Sequence, residues 1–303
     1  MNCYILKEGP SCLVVDPGDG GEAAQRRLLN ALLFLGVAPG NVQLFITHLH
    51  LDHAGALRAE EFAACPVWLG CGELVDGETV PTRKNREEIR QRMRLEGFPR
   101  EAVSLFDSNV WGVEVPDGRQ VRMVSHGDVI DLNGRALRVL GVPGHTPGQV
   151  GLYDEQSKCL FAGDHLLFDI VPMLTMRCDC LDAVTPYLES LKHCCDLGAL
   201  LLCPGHGVPQ REWRNRAEQI ASHHSQRIEQ LRQWIAEQPG QTGADLILQK
   251  LWDEPIEQKR KTPYVRTVSI LSLGCVYLNY LLVHGLVAYV VDQAGLRRYY
   301  PGR

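Results

Sequence analysis

The sequence lacks the cysteine spacing of a disulfide framework, a zinc knuckle or a thioredoxin-type redox pair. Its eleven cysteines are an odd number and are widely spaced in a chain of 303 residues. The closest pairs are Cys178 with Cys180 and Cys194 with Cys195, and neither has the two-residue gap of a C-x-x-C motif. A chain of this length does not need disulfides to stabilise its core. We therefore expect free thiols and a cytoplasmic location.

No signal peptide is expected in the given sequence, because its first residues show no basic stretch followed by an apolar run and a cleavage site. The stretch 268–291 has no charged residue apart from His284, and it exceeds the roughly 20 residues that cross a bilayer. Ser269, Ser272 and Asn279 interrupt this stretch, and its pattern changes from helical to strand-like midway. It is therefore predicted to be a buried helix followed by a strand rather than a membrane span.

No excess of basic charge favours a nucleic-acid partner for the whole chain. Lys and Arg number 31 against 36 Asp and Glu, which gives a net charge of −5. Residues 1–210 have a net charge of −9, whereas residues 211–303 have a net charge of +4. The length exceeds the usual size of one domain, and 45% hydrophobic content is enough for a full core. Two domains are predicted, 1–212 and 213–303.

A dense cluster of metal-ligand side chains follows a short apolar strand predicted at residues 42–46. The cluster has the pattern HxHxDH and consists of His48, His50, Asp52 and His53. If the chain stays extended after the strand, His48 and His50 project to the same side. Asp52 and His53 lie at the start of a predicted helix, which places the acid at the positive end of that helix. Three imidazoles and a carboxylate at this spacing predict a metal site.

Three later predicted strands end in glycine-containing turns that carry the same types of side chain. These turns contain His145, Asp164 and His206. Asp16 also stands at a strand end, and His165 directly follows Asp164. We predict that Asp16 and His165 support the site from outside or line its pocket, with a turn-forming Asp and an ordinary core His as the alternatives.

The ligand types indicate a catalytic rather than a structural site. Imidazole and carboxylate ligands without thiolate suit zinc, iron or manganese. Structural zinc sites are usually closed by four protein ligands. This set provides three or four protein ligands for each of two metals, which leaves a coordination position for water. Two dications carry more charge than Asp52, Asp164 and a bridging hydroxide cancel, which favours an anionic substrate. We expect two divalent transition metals, with zinc preferred over iron and manganese.

The HxHxDH pattern with a later His, Asp and His resembles the metallo-β-lactamase-fold superfamily of hydrolases over residues 1 to about 210. The resemblance implies that one metal is held by His48, His50 and His145, that the other is held by Asp52, His53 and His206, and that Asp164 bridges them. It also implies an α+β fold, a four-layer αββα sandwich with the site at strand ends. True β-lactamases generally carry Cys in the place of Asp164 and lack a metal-binding His at the position of His53. A penicillin hydrolase is therefore not expected.

The predicted reaction is hydrolysis of an ester, lactone or thioester of a small anionic molecule by a hydroxide held between the metals. Asp52 is assigned a second role, which is to orient that hydroxide. Glyoxalase II-type thioesterases, lactonases and RNA-cleaving members have similar ligand sets, but the basic residues with which glyoxalase II binds glutathione have no match here. The alternatives are a phosphodiesterase or endoribonuclease, a mononuclear-iron sulfur dioxygenase, and a non-enzymatic DNA-binding sensor.

The C-terminal residues resemble a winged-helix-like module. Helical spacing covers 213–237, a short helix begins at Thr242 and runs through Trp252, and another helix covers 267–284. Two strand patterns then flank residues 292–295 as in a hairpin. In similar enzymes such a tail packs against the catalytic unit or mediates dimer contact, so packing within the chain or a homodimer is expected. The residues that would contact phosphates in the alternative model are Lys259, Arg260, Lys261 and Arg266. Because no basic, polar recognition helix accompanies them, nucleic-acid binding is not expected.

Overall fold

The structure is a computed structural model that describes residues 1–75, 78–79, 83–104, 112–176, 180–248 and 264–302. The chain divides into two compact units. The first unit comprises Met1–Val80, Val110–Pro172 and Glu189–Ala217, and the second comprises Pro81–Asn109, Met173–Leu188 and Glu218–Arg303. A division into catalytic and C-terminal domains after residue 212 stays a prediction.

The secondary structure is mixed, with short strands and helices of widely different length. The strands are β1 Tyr4–Glu8, β2 Ser11–Val15, β3 Val42–Ile46, β4 Val67–Gly70, β5 Leu74–Val75, β6 Glu78–Thr79, β7 Val121–Val124, β8 Val129–Leu132, β9 Arg135–Gly141, β10 Val150–Asp154, β11 Cys159–Gly163, β12 Leu201–Pro204, β13 Val287–Val291 and β14 Arg297–Pro301. The α-helices are α1 Glu22–Phe34, α2 Leu51–Ala54, α3 Arg83–Leu95, α4 Arg100–Ser104, α5 Val184–Asp196, α6 Arg214–Glu237, α7 Gly243–Leu246 and α8 Tyr264–Val283.

Two five-stranded sheets form the first unit. The first sheet has the order β1-β2-β3-β4-β7, and only its β1–β2 pair is antiparallel. The second sheet has the order β12-β11-β10-β9-β8, and only its β11–β12 pair is parallel. Parallel neighbours such as β2 and β3 require a crossover, which α1 supplies. The fold is therefore α/β. The expected class was α+β, but the strand pairs of the first sheet other than β1–β2 are parallel.

The two sheets pack face to face because the side chains of each strand alternate between its two faces. Phe45 of β3 is buried in a cluster that joins both sheets and includes Leu152 of β10. Its neighbours Leu44 and Ile46 belong to a second cluster on the other face of the first sheet, where α1 packs through Leu28 and Leu32. The two sheets with helices of the predicted sandwich are confirmed.

The helix predicted after the HxHxDH motif is divided into a short α-helix and two 3-10 helices. α2 begins at Leu51 and includes Asp52, and the following segments Gly55–Arg58 and Glu60–Phe62 are 3-10 helices. The backbone at Gly55 lies so close to the segment after β2 that an added Cβ would overlap the carbonyl of Asp19. This close approach coincides with the point where α2 ends and the first of the two 3-10 helices begins.

The second unit contains the predicted helices and hairpin. β13 and β14 pair antiparallel around residues 292–296, and the long helices α6 and α8 occur where helical spacing predicted them. At the start of α7 the Thr242 side chain accepts a hydrogen bond from the backbone N–H of Asp245. The Asp245 side chain accepts a hydrogen bond from the backbone N–H of Thr242. A buried hydrogen bond of 2.8 Å joins His224 Nδ1 of α6 to the Tyr277 hydroxyl of α8. The continuation of the short helix to Trp252 lies outside the described residues.

The stretch weighed as a membrane span forms the end of α8 followed by β13, as predicted. Among the helices that the structure describes, none is long and apolar enough to cross a membrane. The cysteines within the described ranges are free thiols, and Cys178 lies outside those ranges.

The core of the first unit can be tested with a matched pair of leucines. Leu44 of β3 is fully buried, whereas Leu33 of α1 is 77% exposed. We expect Leu44→Ala to lower the free energy of unfolding by about 2–5 kcal/mol, because it removes packing and leaves a cavity. Leu33→Ala is expected to change it by no more than about 0.5 kcal/mol. Urea unfolding followed by circular dichroism measures both, and equal effects would contradict the packing described here.

Candidate metal centre

The candidate centre lies where several strands of the first unit end. β9, β11 and β12 run in the same direction, so their C-terminal ends lie at one edge of the second sheet. The end of β3 in the first sheet is tied to this edge, because the Val150 backbone N–H donates to the Thr47 carbonyl over 2.9 Å. The residues that these ends and α2 bring together are His48, His50, Asp52, His53, His145, Asp164 and His206. All seven predicted ligand residues therefore meet in one place.

The first group consists of three imidazoles. The Nδ1 atom of His50 lies 2.9 Å from Nε2 of His48 and 3.0 Å from Nε2 of His145. All three ligand atoms lie within 4.8 Å of one another. His48 and His145 are buried, and His50 is partly buried. Ring nitrogens that converge in this way can share one cation.

The second group consists of Asp52, His53 and His206, whose ligand atoms also lie within 4.8 Å of one another. The Oδ2 atom of Asp52 lies 3.0 Å from Nε2 of His206 and 3.6 Å from Nε2 of His53. His53 is fully buried, whereas the side chains of Asp52 and His206 are 46% and 39% exposed. This group therefore forms the side of the centre that solvent reaches.

Asp164 connects the two groups through its two carboxylate oxygens. Its Oδ1 atom lies 3.5 Å from Nε2 of His53. Its Oδ2 atom lies 3.7 Å from Nε2 of His145 in the first group and 3.6 Å from Nε2 of His206 in the second. A carboxylate in this position can bridge two metal ions, which is the role that the family resemblance implied for Asp164.

The buried polar atoms of the centre fit a bound cation. Nε2 of His53 and Oδ1 of Asp164 are buried, and neither has a hydrogen-bond partner among the residues that the structure describes. Leaving such an atom unsatisfied costs about 1–3 kcal/mol, and a metal ion would satisfy both atoms at once. The nitrogen and oxygen ligands, without sulfur, suit zinc, iron or manganese.

The electrostatics of the first group also favour metal binding. Burial and the neighbouring imidazoles of His145 and His53 lower the pKa of His50 to about 3. Burial holds the pKa of His48 well below its usual value. Both rings are therefore neutral near pH 7, and the neutral form is the one that binds metals. Burial opposes ionisation of Asp164, but its interactions with His53 outweigh burial and lower the pKa of this carboxyl.

Asp16 supports the second group from behind. It ends β2 with a φ of 53°, in the left-handed region, and is almost fully buried. Its Oδ2 atom lies 2.8 Å from Nδ1 of His53, and its Oδ1 atom accepts from the Thr47 backbone N–H over 2.8 Å. This contact fixes the imidazole so that Nε2 points toward Asp164. Burial opposes protonation of His53, but the carboxylates of Asp16 and Asp164 raise its pKa well above the usual value.

His165 lies apart from the ligand groups. It is fully buried, and its Nε2 atom lies 3.4 Å from the Ser190 hydroxyl. Burial and the nearby His145 lower the pKa of His165 to about 3, so the ring is neutral. This contact agrees with both predicted alternatives, a core histidine and a residue that supports the site from outside.

Two residues that support the site were not predicted from the sequence. The Asn2 side chain donates to the Gly207 carbonyl over 2.7 Å and to the Pro204 carbonyl over 3.0 Å, and so holds the turn that carries His206. Nothing in the local sequence around Asn2 indicates this role, because its partners lie some two hundred residues away. The second missed residue is Glu73, a buried carboxylate next to a glycine at the end of β4. Its position at a strand end is a signal that could have identified it.

A cavity of about 600 Å³ opens beside the second group. Asp52 and His206 form part of its wall. The wall also contains Ile5 of β1 and Leu28 of α1, together with the charged side chain of Arg27. A small molecule bound in this cavity would contact Asp52 and His206 while placing apolar groups against the strand and the helix.

Comparison with known proteins identifies the fold family. The sequence profile of the metallo-beta-lactamase superfamily matches residues 2–206. A crystal structure of a metallo-beta-lactamase family protein from Thermus thermophilus superposes with a TM-score of 0.76 at 26% sequence identity. The superposition covers 99% of this chain and 93% of that protein.

Two curated relatives match only part of their own length. An acyl-coenzyme A thioesterase from Gallus gallus is 31% identical over 172 residues, which cover 54% of this chain and 56% of that protein. A hydroxyacylglutathione hydrolase from Haemophilus influenzae is 25% identical over 168 residues, which cover 55% of this chain and 66% of that protein. The superfamily profile, in contrast, extends over more than half of this chain and includes all seven ligand residues. This protein belongs to the metallo-beta-lactamase superfamily.

Proposed function

We propose that the chain is a metal-dependent hydrolase that holds two divalent ions and cleaves an ester, lactone or thioester of a small anionic molecule. The observation that carries this proposal is the position of Asp164 between the two ligand groups, with one oxygen near His53 and the other near His145 and His206. The fold of this superfamily binds divalent metals, and the His and Asp groups supply ligands for two.

In the proposed reaction His48, His50 and His145 would hold one ion, Asp52, His53 and His206 would hold the other, and Asp164 would help to hold both. The ions, when bound, supply Lewis acidity for the substrate carbonyl and lower the pKa of water toward neutrality. Asp52 is the partly exposed carboxylate of the cavity wall, so it can accept a hydrogen bond from the attacking water and orient it. Asp16 keeps His53 in place by its contact with Nδ1.

The substrate class is supported by the cavity and by the relatives. The cavity offers apolar side chains next to Asp52 and His206, which suits an acyl group attached to the reacting carbonyl. Both curated relatives described above are named as enzymes that act on acylated thiols, an acyl-coenzyme A and a hydroxyacylglutathione. We therefore rank thioesters and esters above phosphodiesters for this chain.

The remaining proposals concern the metal, the tail and the location. Zinc is proposed as the native ion, since the ligands include imidazoles and carboxylates and no redox role is required. The helices and hairpin of the C-terminal residues support a winged-helix-like module that packs or dimerises. The basic residues proposed for the alternative nucleic-acid contact, 259–261 and the side chain at 266, lie outside the described part. The free thiols support a reducing compartment such as the cytoplasm.

The substrate proposal is tested with the zinc-loaded full chain and a panel of model compounds. We expect turnover of an acyl thioester or an aryl ester to exceed turnover of a phosphodiester such as bis(p-nitrophenyl) phosphate by at least about tenfold in kcat/KM, a difference of about 1.4 kcal/mol. Release of thiol or nitrophenol measures each rate. A preference for the phosphodiester would replace this proposal with the nuclease alternative.

The metal proposal is tested by His50→Ala. This change removes the imidazole whose Nδ1 faces both His48 and His145, so we expect metal content to fall from about two ions per chain and activity to be lost with it. Elemental analysis and the thioester assay measure the two effects. His126→Ala is the control, because it removes an exposed imidazole outside the ligand groups. A His50→Ala protein with full activity would end the two-metal proposal.

The role of Asp52 is tested by Asp52→Asn, which nearly preserves the shape of the side chain and removes its charge. We expect kcat to fall by roughly two orders of magnitude, on the scale of losses of general bases and water-orienting groups. The unfolding transition should stay close to that of the wild type, because the side chain is partly exposed. Asp117→Asn, at an exposed turn, is the control. Near-normal kcat in Asp52→Asn would remove Asp52 from the mechanism.

A further inference from the structure

Glu73 is a buried carboxylate beside the first ligand group. It ends the short 3-10 helix Cys71–Glu73 that follows β4, and it is only 1% exposed. Removing a carboxylate from water costs several kcal/mol unless hydrogen bonds replace the lost solvation. The hydrogen bonds that its two oxygens accept therefore identify the segments that Glu73 holds.

One oxygen of Glu73 holds the loop that carries the first two histidines. The backbone N–H of Leu49 donates to Oε2 over 2.8 Å, in a buried contact. Leu49 is the residue between His48 and His50, so this hydrogen bond fixes the peptide from which both imidazoles project. A hydrogen bond to a charged acceptor is roughly twice as strong as one between neutral groups.

The other oxygen holds the loop that carries the third histidine. Oε1 accepts hydrogen bonds from the Thr146 hydroxyl and, over 3.2 Å, from the Gly148 backbone N–H. Thr146 directly follows His145. A single carboxylate thus connects two loops that are about a hundred residues apart in sequence and that together supply all three imidazoles of the first group.

The backbone near Glu73 leaves no room for this arrangement to shift. An added Cβ at Gly148 would overlap the backbone N of Glu73, and one at Gly70 would overlap the Gly148 carbonyl. A Cβ at Gly72 would lie 2.8 Å from Cα of Gly148. The backbone at the end of β4 is therefore in direct contact with the backbone of the turn after His145. This contact fixes the position from which the Glu73 side chain extends.

We propose that Glu73 is a positioning residue for the three-histidine metal site. It sets the distance between the His48–His50 peptide and the His145 turn, and so holds the three ring nitrogens where they share one ion. The hydrogen bonds described above run to the loops that carry His48, His50 and His145, so we expect loss of the Glu73 carboxylate to weaken binding of the first ion more than binding of the second. The proposal rests on the two-metal function above, and its test measures metal affinity rather than activity.

The test is the change Glu73→Gln in the full chain, with zinc affinity measured by competition against a chromophoric chelator. The carboxylate oxygens accept from donors on both sides, so a glutamine must turn its NH2 group toward one donor and loses that contact. We expect one of the two zinc ions to bind roughly 10- to 100-fold more weakly, the scale of losses on changing a group that orients metal ligands. The other ion should keep its affinity. The weakened step should be the one that His50→Ala abolishes.

Two further variants complete the test. Glu155→Gln changes an exposed glutamate and should leave both affinities unchanged. Thr146→Val removes one of the three donors and leaves the carboxylate in place, so we expect a smaller loss at the same step. Thr146→Val decides the question if Glu73→Gln does not fold.

The outcomes separate this inference from the proposed function. Wild-type protein that binds fewer than two ions would contradict the two-metal function itself. Two ions in the wild type, with folded Glu73→Gln protein that binds both as tightly as the wild type or loses both equally, would overturn the role of Glu73. A selective loss also predicts a changed visible spectrum for Co²⁺ at the first site, because the imidazole geometry around the ion changes. An unchanged Co²⁺ spectrum would likewise overturn it.

Discussion

The rest of the structure depends on one constraint, which is that seven polar ligand side chains converge around Asp164 in a mostly buried space. Nδ1 of His50 lies close to Nε2 of both His48 and His145, and within the described part of the chain Oδ1 of Asp164 and Nε2 of His53 have no hydrogen-bond partner. Side chains of this kind repel one another or remain unsatisfied unless positive charge lies between them. The surrounding protein therefore has to hold the ligand groups in place against that cost.

Each ligand segment is held by its own polar support. Asp16 fixes His53 through Nδ1 and the end of β3 through Thr47. Glu73 holds the peptide between His48 and His50 and the turn after His145. Asn2 holds the turn that contains His206. Close approach is also required, since a Cβ at Gly205 would overlap Oδ1 of Asp164. These supports come from the ends of different strands, so the two sheets act as the rigid frame of the site.

Much of the fold could be predicted because it depends on local sequence patterns. The apolar runs of β2 and β3, the helical spacing of α6 and the hairpin of β13 and β14 are periodic signals that do not need distant residues. The helix predicted after His53 is divided into short α-helical and 3-10 segments, at a point where the backbone of Gly55 closely approaches Asp19. The α+β class was also inaccurate, since the direction of neighbouring strands depends on which strands pair and not on their composition.

The sequence by itself determined the set of candidate ligands. HxHxDH fixes four of them within six residues, and strand ends followed by glycine turns indicate His145, Asp164 and His206. The family resemblance implied how these residues group, whereas the distances between them depend on how the ends of β3, β9, β11 and β12 are placed in the two sheets. Only the tertiary structure decided that Asp16 faces His53 and that His165 packs against Ser190 instead of joining a ligand group. The supporting roles of Glu73 and Asn2 depend on hydrogen bonds between segments that are distant in sequence, and no local pattern encodes such contacts.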